Sequence, residues 1–332
     1  VEHARGVPAG AGAPQLGMAF ASQVGGGLKV FLLACALPAF AATHYVTVAG
    51  LGGEPDYEQR FTTLANEIDK LLRGSAGEST VTTLHGPEAT REKIRAAMGD
   101  VARKAKADDA LVVMLIGHGT FDGSEYKVNI PGPDLTAVEL ASLMDRVPAS
   151  RQLFVNMTSA SGGSLAFVQK PNRVVIAATR TGSERNATVF SRYWVEALRD
   201  SSVDTDKNEA VSALEAFRFA DQRTVRYFES QKRLATEHAV LEDTGKGEPV
   251  RAPSPENGQG LIAGGFTLLR LGAAQKAAAD PQKKMLFDRK EELERAIDKL
   301  KYEKAALPPE LYRKQLSELL LDLARVQEEL DK

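Results

Sequence analysis

The sequence predicts an α/β protein with a mainly parallel sheet flanked by helices, followed by a C-terminal α-helical hairpin. Two observations lead to this fold class. Between residues 45 and 179, apolar and β-branched runs alternate with segments of helical spacing, an order that favours parallel strands joined by helical crossovers. Beyond residue 272, the composition changes to charged segments with leucines at heptad-like spacing, which is typical of helices that pack against one another.

The predicted elements follow one another along the chain with short connections. Residues 110–116 are a continuous apolar run, as expected for a strand that is buried on both faces of a sheet. Further strands are predicted at residues 45–50, 80–84, 152–156, 173–178 and 265–271, the last of them at a sheet edge. Helices are predicted at residues 57–72, 89–105, 135–147, 188–199 and 211–241.

The C-terminal region is predicted to form two charged helices, at residues 283–306 and 310–332, separated by Pro308 and Pro309. Two interpretations stay open for this hairpin, which can pack on the preceding domain as an appendage or present a surface for a partner or for oligomerisation. The resulting domain organisation is a principal domain at residues 42–272 and a helical extension at 273–332.

The N-terminal region has the layout of a secretory signal peptide. Lys29 precedes a short apolar run that ends in Ala-Phe-Ala at residue 41, and such a run is too short to span a bilayer. Cleavage after Ala41 gives a mature chain that begins at Ala42. The Gly- and Ala-rich residues before Lys29 are interpreted as an over-extended start, with Met18 as the initiator. The sequence therefore predicts export to the periplasm or the extracellular space.

A second interpretation of the same region is a lipoprotein site. Leu-Leu-Ala-Cys at residues 32–35 matches such a cleavage site and would keep Cys35 as a lipid anchor. Cys35 is the only cysteine of the chain. Under either interpretation, the mature protein has no free thiol.

Composition restricts the classes of partner. Hydrophobic residues make up 43% and charged residues 26% of the chain, and the net charge is −2. These values are ordinary for a soluble globular domain and give no electrostatic reason to expect a nucleic acid or an anionic membrane surface as partner. No other apolar run approaches bilayer length. We therefore expect a peptide or protein partner and no transmembrane span in the mature chain.

Glycines and small polar residues follow two of the predicted strands. His118 lies between Gly117 and Gly119, directly after the strand at 110–116, and Ser159 lies in the small-residue loop 157–163 after the next strand. Functional residues collect at the carboxyl ends of parallel strands. A histidine can exchange a proton near neutral pH, and backbone N–H groups of such loops can stabilise an oxyanion.

These residues resemble the legumain- and caspase-like cysteine peptidases. In that superfamily, one apolar strand ends in His-Gly, as at His118-Gly119, and another ends in Cys-x-Ser-Gly, where this chain has Ser159-Ala-Ser-Gly. Asp56, followed by Tyr57 after the first strand, resembles the legumain start, where an Asn before the Tyr orients the histidine. The resemblance covers about residues 45–271 and implies a three-layer caspase/legumain-like fold.

The resemblance also implies a role for each matching residue. His118 matches the catalytic histidine, and the Gly119 N–H matches an oxyanion donor. Ser159 occupies the place of the nucleophile, with its own N–H as the second donor, and Asp56 occupies the place of the histidine-orienting residue.

The serine at position 159 leads to two hypotheses. A thiolate attacks without a tightly coupled base, whereas a serine hydroxyl needs a base in direct hydrogen-bond contact and an acid behind that base. The first hypothesis is a catalytically inactive homologue that acts as a binding or scaffold protein. The second is an active hydrolase that cleaves peptides with Ser159 and His118.

A second motif predicts a calcium site. Residues 204–215 place oxygen donors at positions 1, 3, 5, 9 and 12 of a loop like that of an EF-hand, although Glu209 stands where the turn normally requires glycine. The alternative is a polar loop that leads into a helix with Ser212 near its N-cap. No other cofactor is expected. The candidate ligands are Asp204, Asp206, Asn208, Ala210, Ser212 and Glu215.

Overall fold

The computed structural model describes residues 41–75, 79–277 and 280–332. They belong to one structural unit, Phe40–Lys332, which includes the C-terminal helices. The predicted signal segment, with Met18 and Cys35, lies outside the described residues except for Ala41. Within the described ranges, no helix has the length and apolar character that crossing a bilayer requires.

Three sheets are formed by the strands of the described residues. In chain order the strands are β1 (Thr43–Ala49), β2 (Thr80–Leu84), β3 (Ala110–Ile116), β4 (Gly119–Phe121), β5 (Tyr126–Val128), β6 (Leu135–Thr136), β7 (Arg151–Asn156), β8 (Arg173–Ala177), β9 (Ala210–Ser212), β10 (Val240–Glu242) and β11 (Thr267–Arg270). The main sheet has the order β10-β8-β7-β3-β1-β2, and all of its pairs are parallel except β10 with β8.

Helices connect the parallel strands and form the C-terminal region. In chain order they are α1 (Pro55–Ser75), α2 (Arg91–Lys104), α3 (Ala137–Asp145), α4 (Leu165–Val168), α5 (Phe190–Arg199), α6 (Ala213–Ser230), α7 (Leu261–Gly264), α8 (Gly272–Ala277), α9 (Pro281–Glu303) and α10 (Pro309–Leu330). Side-chain caps begin several of them: Thr90 accepts a hydrogen bond from Lys93 N at α2, and Ser212 and Glu215 form a capping box at α6.

The main sheet separates two hydrophobic cores. Successive side chains of a strand point to opposite faces, so Met114 of β3 packs with α1, α5 and α6, while its neighbour Val113 packs with α2, α3 and α4. All seven residues of β3 are buried. The predicted α/β fold, with a mainly parallel sheet flanked by helices and a C-terminal helical region, is confirmed.

Two predicted elements differ in the structure. The helix predicted at 211–241 ends at Ser230, and the chain then returns to the main sheet as β10, which was not predicted. The strand predicted at 265–271 is an edge strand, as expected, but β11 pairs with β9 in a separate two-stranded sheet that was not predicted. β10 was missed because it has only three residues in a largely polar segment, and so short an apolar pattern does not identify a strand.

The first helix of the C-terminal hairpin packs on the principal domain. Phe287, Leu293, Ile297 and Leu300 of α9 are buried, and Arg270 of β11 forms ion pairs with Asp288 and Glu291. The second helix, α10, packs along α9, and each of its residues is at least partly exposed. A role of the hairpin in partner binding or oligomerisation stays a prediction.

Candidate active site

The topology places His118 and Ser159 at the same edge of the main sheet. β3 and β7 are adjacent and parallel, with Leu115 paired to Asn156. The chain leaves β3 into Gly117-His118-Gly119, and it leaves β7 into the loop that carries Ser159. Parallel strands bring their carboxyl ends together, so these residues meet because their strands are neighbours.

His118 lies between two aromatic rings of α1. Its imidazole meets Tyr57 at 5.0 Å between ring centroids and Phe61 at 5.2 Å, both in edge-to-face geometry. Tyr57 and Phe61 are four residues apart, so they lie on the same face of the helix. The docking of α1 therefore fixes the orientation of the imidazole.

The surroundings of His118 favour its neutral form. Burial lowers the pKa of the imidazole below its ordinary value, and the positive charge of Arg60 acts in the same direction. A hydrogen bond with the backbone of Gly52 and the negative charge of Glu54 partly oppose this shift. His118 is therefore available as a base at neutral pH, but one side of its ring is already engaged by the loop after β1.

The structure places Asp56 apart from the imidazole of His118. The residue is exposed in the first turn of α1, and within the described part of the chain no hydrogen bond joins it to the imidazole. Gly52, Tyr57 and Phe61 surround the ring instead. The described residues place no carboxylate in hydrogen-bond contact with His118, so the acid of a Ser-His-acid triad is missing.

Ser159 is 2% exposed, and its hydroxyl is held by the backbone of Gly119. The Gly119 N–H donates to Ser159 Oγ at 3.2 Å, and Ser159 Oγ donates to the Gly119 carbonyl at 3.4 Å. Among the described residues, no hydrogen bond joins Ser159 Oγ to His118. The structure thus brings the two residues to the same sheet edge without coupling the hydroxyl to the base.

A buried polar network lies beneath Ser159. Thr158 Oγ1 donates to Asn156 Oδ1 at 2.8 Å and is also hydrogen bonded to the hydroxyl of Tyr126, which is completely buried. Asn156 Nδ2 continues the network to Ser164 Oγ at 3.1 Å. Burial raises the pKa of Tyr126 to about 12. This phenol is therefore a neutral structural group that supports the loop of Ser159.

The aromatic ring of Phe121 packs against two glycines beside the loop of Ser159. A β-carbon on Gly163 would lie 2.7 Å from the ring of Phe121, and one on Gly182 would lie 2.2 Å from it. Arg185 Nη2 donates to the Phe121 carbonyl at 3.3 Å. Phe121 belongs to β4, which follows His118 directly. The ring of Phe121 thus covers the glycines that follow the carboxyl ends of β7 and β8.

The candidate calcium loop is a separate site before α6. One carboxylate oxygen from each of Asp204, Asp206 and Glu215 lies within 4.8 Å of the others. Asn208 Oδ1 accepts from Ala210 N at 2.9 Å, and the Ser212 hydroxyl is engaged in the capping box of α6. The structure therefore brings three of the six predicted ligands together as carboxylates. The side chains of Asn208, Ser212 and also Glu215 are engaged locally, since Glu215 belongs to the same capping box and accepts from Thr205 N at 2.8 Å.

Two features of this loop affect its ability to bind a cation. Glu209, at the position that normally holds glycine, has φ +66°, the left-handed conformation that such a turn requires. Partial desolvation and the neighbouring Glu215 and Asp204 carboxylates raise the pKa of Asp206 to about 6. The negative charge of Asp206 in turn contributes to raising the pKa of Glu294 on α9 to about 7, although burial is the larger cause.

Several functional side chains were not predicted from the sequence. Tyr57 was noted only beside Asp56, and Phe61 lies within the helix predicted at residues 57–72 without being singled out. Phe121 and Tyr126 carry no motif, because their roles depend on how β4 and β5 fold over the end of the main sheet. The spacing of Tyr57 and Phe61 on one helix face is the single signal that pointed towards this contact.

Comparison with known proteins finds similarity in structure only. No protein-family model and no curated protein matches the chain. Among solved structures, caspase-1 from Spodoptera frugiperda is similar over 61% of this chain and 86% of its own, with 15% identity and a TM-score of 0.44. The Drosophila initiator caspase Dronc is similar over 63% and 81%, with 9% identity and a TM-score of 0.42. At this level, the likeness carries no inference about activity.

Proposed function

We propose that this protein is an exported homologue of the legumain- and caspase-like peptidases that does not cleave peptides and acts as a binding or scaffold protein. The observation that carries this proposal is the hydrogen bonding of Ser159. Its hydroxyl is bound to both backbone groups of Gly119 rather than to His118. A serine in this position lacks the coupled base that it needs for attack.

The state of His118 supports the same proposal. The imidazole is bound to Gly52 and enclosed by Tyr57 and Phe61, and no acid of the described residues is hydrogen bonded to it. Without that acid, an imidazolium formed during catalysis gains no stabilisation from a buried carboxylate. Peptide or protein segments are the proposed partners, since the ordered His-Gly and Ser-x-Ser-Gly motifs resemble a peptide-processing superfamily.

An active serine hydrolase is the second candidate function. It is favoured by the N–H of Gly119, which lies 3.2 Å from Ser159 Oγ and is suited to stabilise an oxyanion formed there. In this alternative, a bound peptide shifts the hydroxyl of Ser159 towards His118, which acts as the base.

Cleavage of a fluorogenic peptide library distinguishes the two functions. We expect no turnover by the wild-type protein and none by Ser159→Ala, its matched control. Turnover by the wild type that disappears in Ser159→Ala would contradict the proposal and establish the hydrolase.

Ser159→Cys tests the remainder of the site, because a thiolate needs no tightly coupled base. We expect this variant to gain activity that is lost again when His118→Ala is added. A Ser159→Cys variant that is folded but inactive would indicate that the site has lost more than its nucleophile.

Export and calcium binding belong to the same proposal. The signal-like segment supports a periplasmic or extracellular location with cleavage after Ala41, and Cys35 as a lipid anchor is the alternative. The mass of the N-terminal peptide of the exported protein tests both.

The carboxylates Asp204, Asp206 and Glu215 are hard oxygen donors suited to Ca²⁺, and a bound ion would hold the loop before α6 against that helix.

A further inference from the structure

Ala42 is fixed to the molecule through both of its backbone groups. Its N–H donates to Asp109 Oδ1 at 2.8 Å, and its carbonyl accepts from Ala110 N at 2.9 Å. The next residue, Thr43, begins β1 in the interior of the main sheet. Ala41 is exposed. The Asp109 contact is therefore made by the nitrogen that becomes the chain terminus when the predicted signal peptide is removed.

Asp109 is a buried carboxylate with few positive partners. It is 4% exposed, and its Oδ2 accepts from Lys106 N at 2.8 Å and lies 3.2 Å from His44 Nε2. Burial raises the pKa of this carboxyl, but the hydrogen bonds from Lys106, Ala42 and His44 outweigh it and hold the pKa below its ordinary value. Among the described residues, His44 is the only ion-pair partner of Asp109.

We propose that cleavage after Ala41 completes a structural ion pair between the new α-ammonium of Ala42 and the carboxylate of Asp109. The proposal rests on the export part of the proposed function. A signal peptidase uses water to hydrolyse the peptide bond between Ala41 and Ala42. Ala41 leaves with the new carboxylate, and the amine of Ala42 takes up a proton. The backbone nitrogen of Ala42 thereby changes from a neutral amide donor to a positively charged ammonium beside Asp109.

The charge of that nitrogen determines the strength of the contact. An α-amino group has a pKa of about 7.7–8.0 before any ion pairing, so it is mostly protonated at neutral pH. The amide N–H of the precursor already donates a charge-assisted hydrogen bond to the Asp109 carboxylate. The ammonium keeps that hydrogen bond and adds the attraction between two opposite charges. The ion pair stabilises the start of a central strand only after processing. The exported protein is therefore more stable than its precursor.

The first test compares thermal unfolding of two chains that begin at Ala42, one with a free amine and one acetylated at that amine. Both contain the structural unit described above without its first two residues, and both are made by removing a cleavable N-terminal fusion. We expect the free amine to raise Tm by about 2–4 °C. Asp109→Asn is expected to remove this difference. Equal Tm values in the wild type, or a difference that persists in Asp109→Asn, would overturn the proposal.

A second measurement does not depend on the folding of a variant. The rate of acylation of the Ala42 amine is compared with that of a chain that carries one extra glycine before Ala42. An increase of one unit in the pKa of an amine lowers its reactive fraction about tenfold, so we expect acylation about tenfold slower at Ala42. Equal rates would contradict the ion pair.

The export premise is tested separately by the N-terminal mass of the exported protein. Ala42 as the first residue supports the processing step, and another first residue overturns it. Neither result affects the assignment of the inactive peptidase-like site, which is tested with Ser159 variants.

Discussion

Gly119 lies at a position that has no room for a β-carbon. Its φ lies outside the left-handed region, so steric space rather than backbone conformation requires glycine here. A β-carbon would lie 2.6 Å from the Ser159 carbonyl oxygen, 2.6 Å from Tyr126 Oη and 2.8 Å from Thr158 Oγ1. Because Tyr126 is completely buried, the neighbouring atoms have little freedom to move. Gly119 thus fixes how closely β4 approaches the loop of Ser159.

Replacement of this glycine is expected to destabilise the protein. Gly119→Ala should lower the free energy of unfolding by about 1–3 kcal/mol, the usual cost of overpacking a buried site. The measurement is urea unfolding followed by circular dichroism. Gly99→Ala is the matched control, since its β-carbon would meet only the end of the Arg103 side chain at 3.5 Å. In the helix α2 this control should stabilise by about 0.5–1 kcal/mol. A Gly119→Ala variant as stable as the control would contradict the crowded geometry.

The loop between α5 and α6 is the element for which calcium binding is predicted. At a calcium concentration of about 100 times Kd, the folded state gains about 2.7 kcal/mol, so we expect Tm to rise by about 5 °C. Magnesium at the same concentration is the control, because it fits carboxylate loops of this kind poorly. A Tm that millimolar calcium leaves unchanged would contradict the site.

Asp206→Asn separates a specific calcium site from a general effect of ions. Asp206 is exposed, and its carboxylate accepts from the backbone and side-chain nitrogens of Asn208. The variant should therefore keep its fold and gain slight stability without calcium, because repulsion from Glu215 and Asp204 is reduced. The calcium-dependent rise in Tm should be lost.

The accuracy of sequence-based prediction differed between elements for a physical reason. The buried parallel strands were predicted because apolar and β-branched runs such as 110–116 follow from burial on both faces of a sheet. β10 was missed because its three residues join the sheet through tertiary pairing with β8. β11 was recognised as an edge strand, but its pairing with β9 was not predicted, because pairing depends on where the chain returns.

The same reasoning explains what could be predicted at the candidate site. His118 and Ser159 were placed at one sheet edge by the rule for carboxyl ends of parallel strands. The sequence could not reveal that the Ser159 hydroxyl binds Gly119, because that bond depends on the fold of β4 over β7. The sequence could not show that Tyr57 rather than the exposed Asp56 meets the imidazole, because one residue along a helix rotates a side chain by about 100°.

At the scale of the whole molecule, buried carboxyls make stability depend on pH. Burial raises the pKa of Glu237 to about 7, although the carboxylate accepts hydrogen bonds from Val189 N and Phe190 N at the start of α5. The folded state thus holds this proton more tightly than the unfolded state does. The resulting stability is complete below the ordinary pKa of 4.5 and is lost as pH rises to about 7.

Glu237→Gln removes this titration. Its stability relative to wild type should therefore increase between pH 4.5 and 7, by an amount on the order of 2 kcal/mol. Urea unfolding of both proteins at pH 4.5, 6 and 8 measures the difference. Asp206 and Glu294, whose pKa values are also raised, contribute the same slope to both proteins and cancel. A difference that is independent of pH would contradict the raised pKa of Glu237.

Under the proposed function, a peptide that binds beside the loop of Ser159 would compete with the ring of Phe121, which packs against Gly163 and Gly182. Such a peptide would enter this glycine-lined slot only after the ring had left it, so its apparent Kd would equal the intrinsic Kd divided by the fraction of molecules with an open slot. A slot open in about one molecule in a hundred weakens binding about a hundredfold. Phe121→Ala removes the ring, so we expect the variant to recover this lost affinity. The ratio of the Kd of the variant to the Kd of the wild type then gives the fraction of open wild-type molecules.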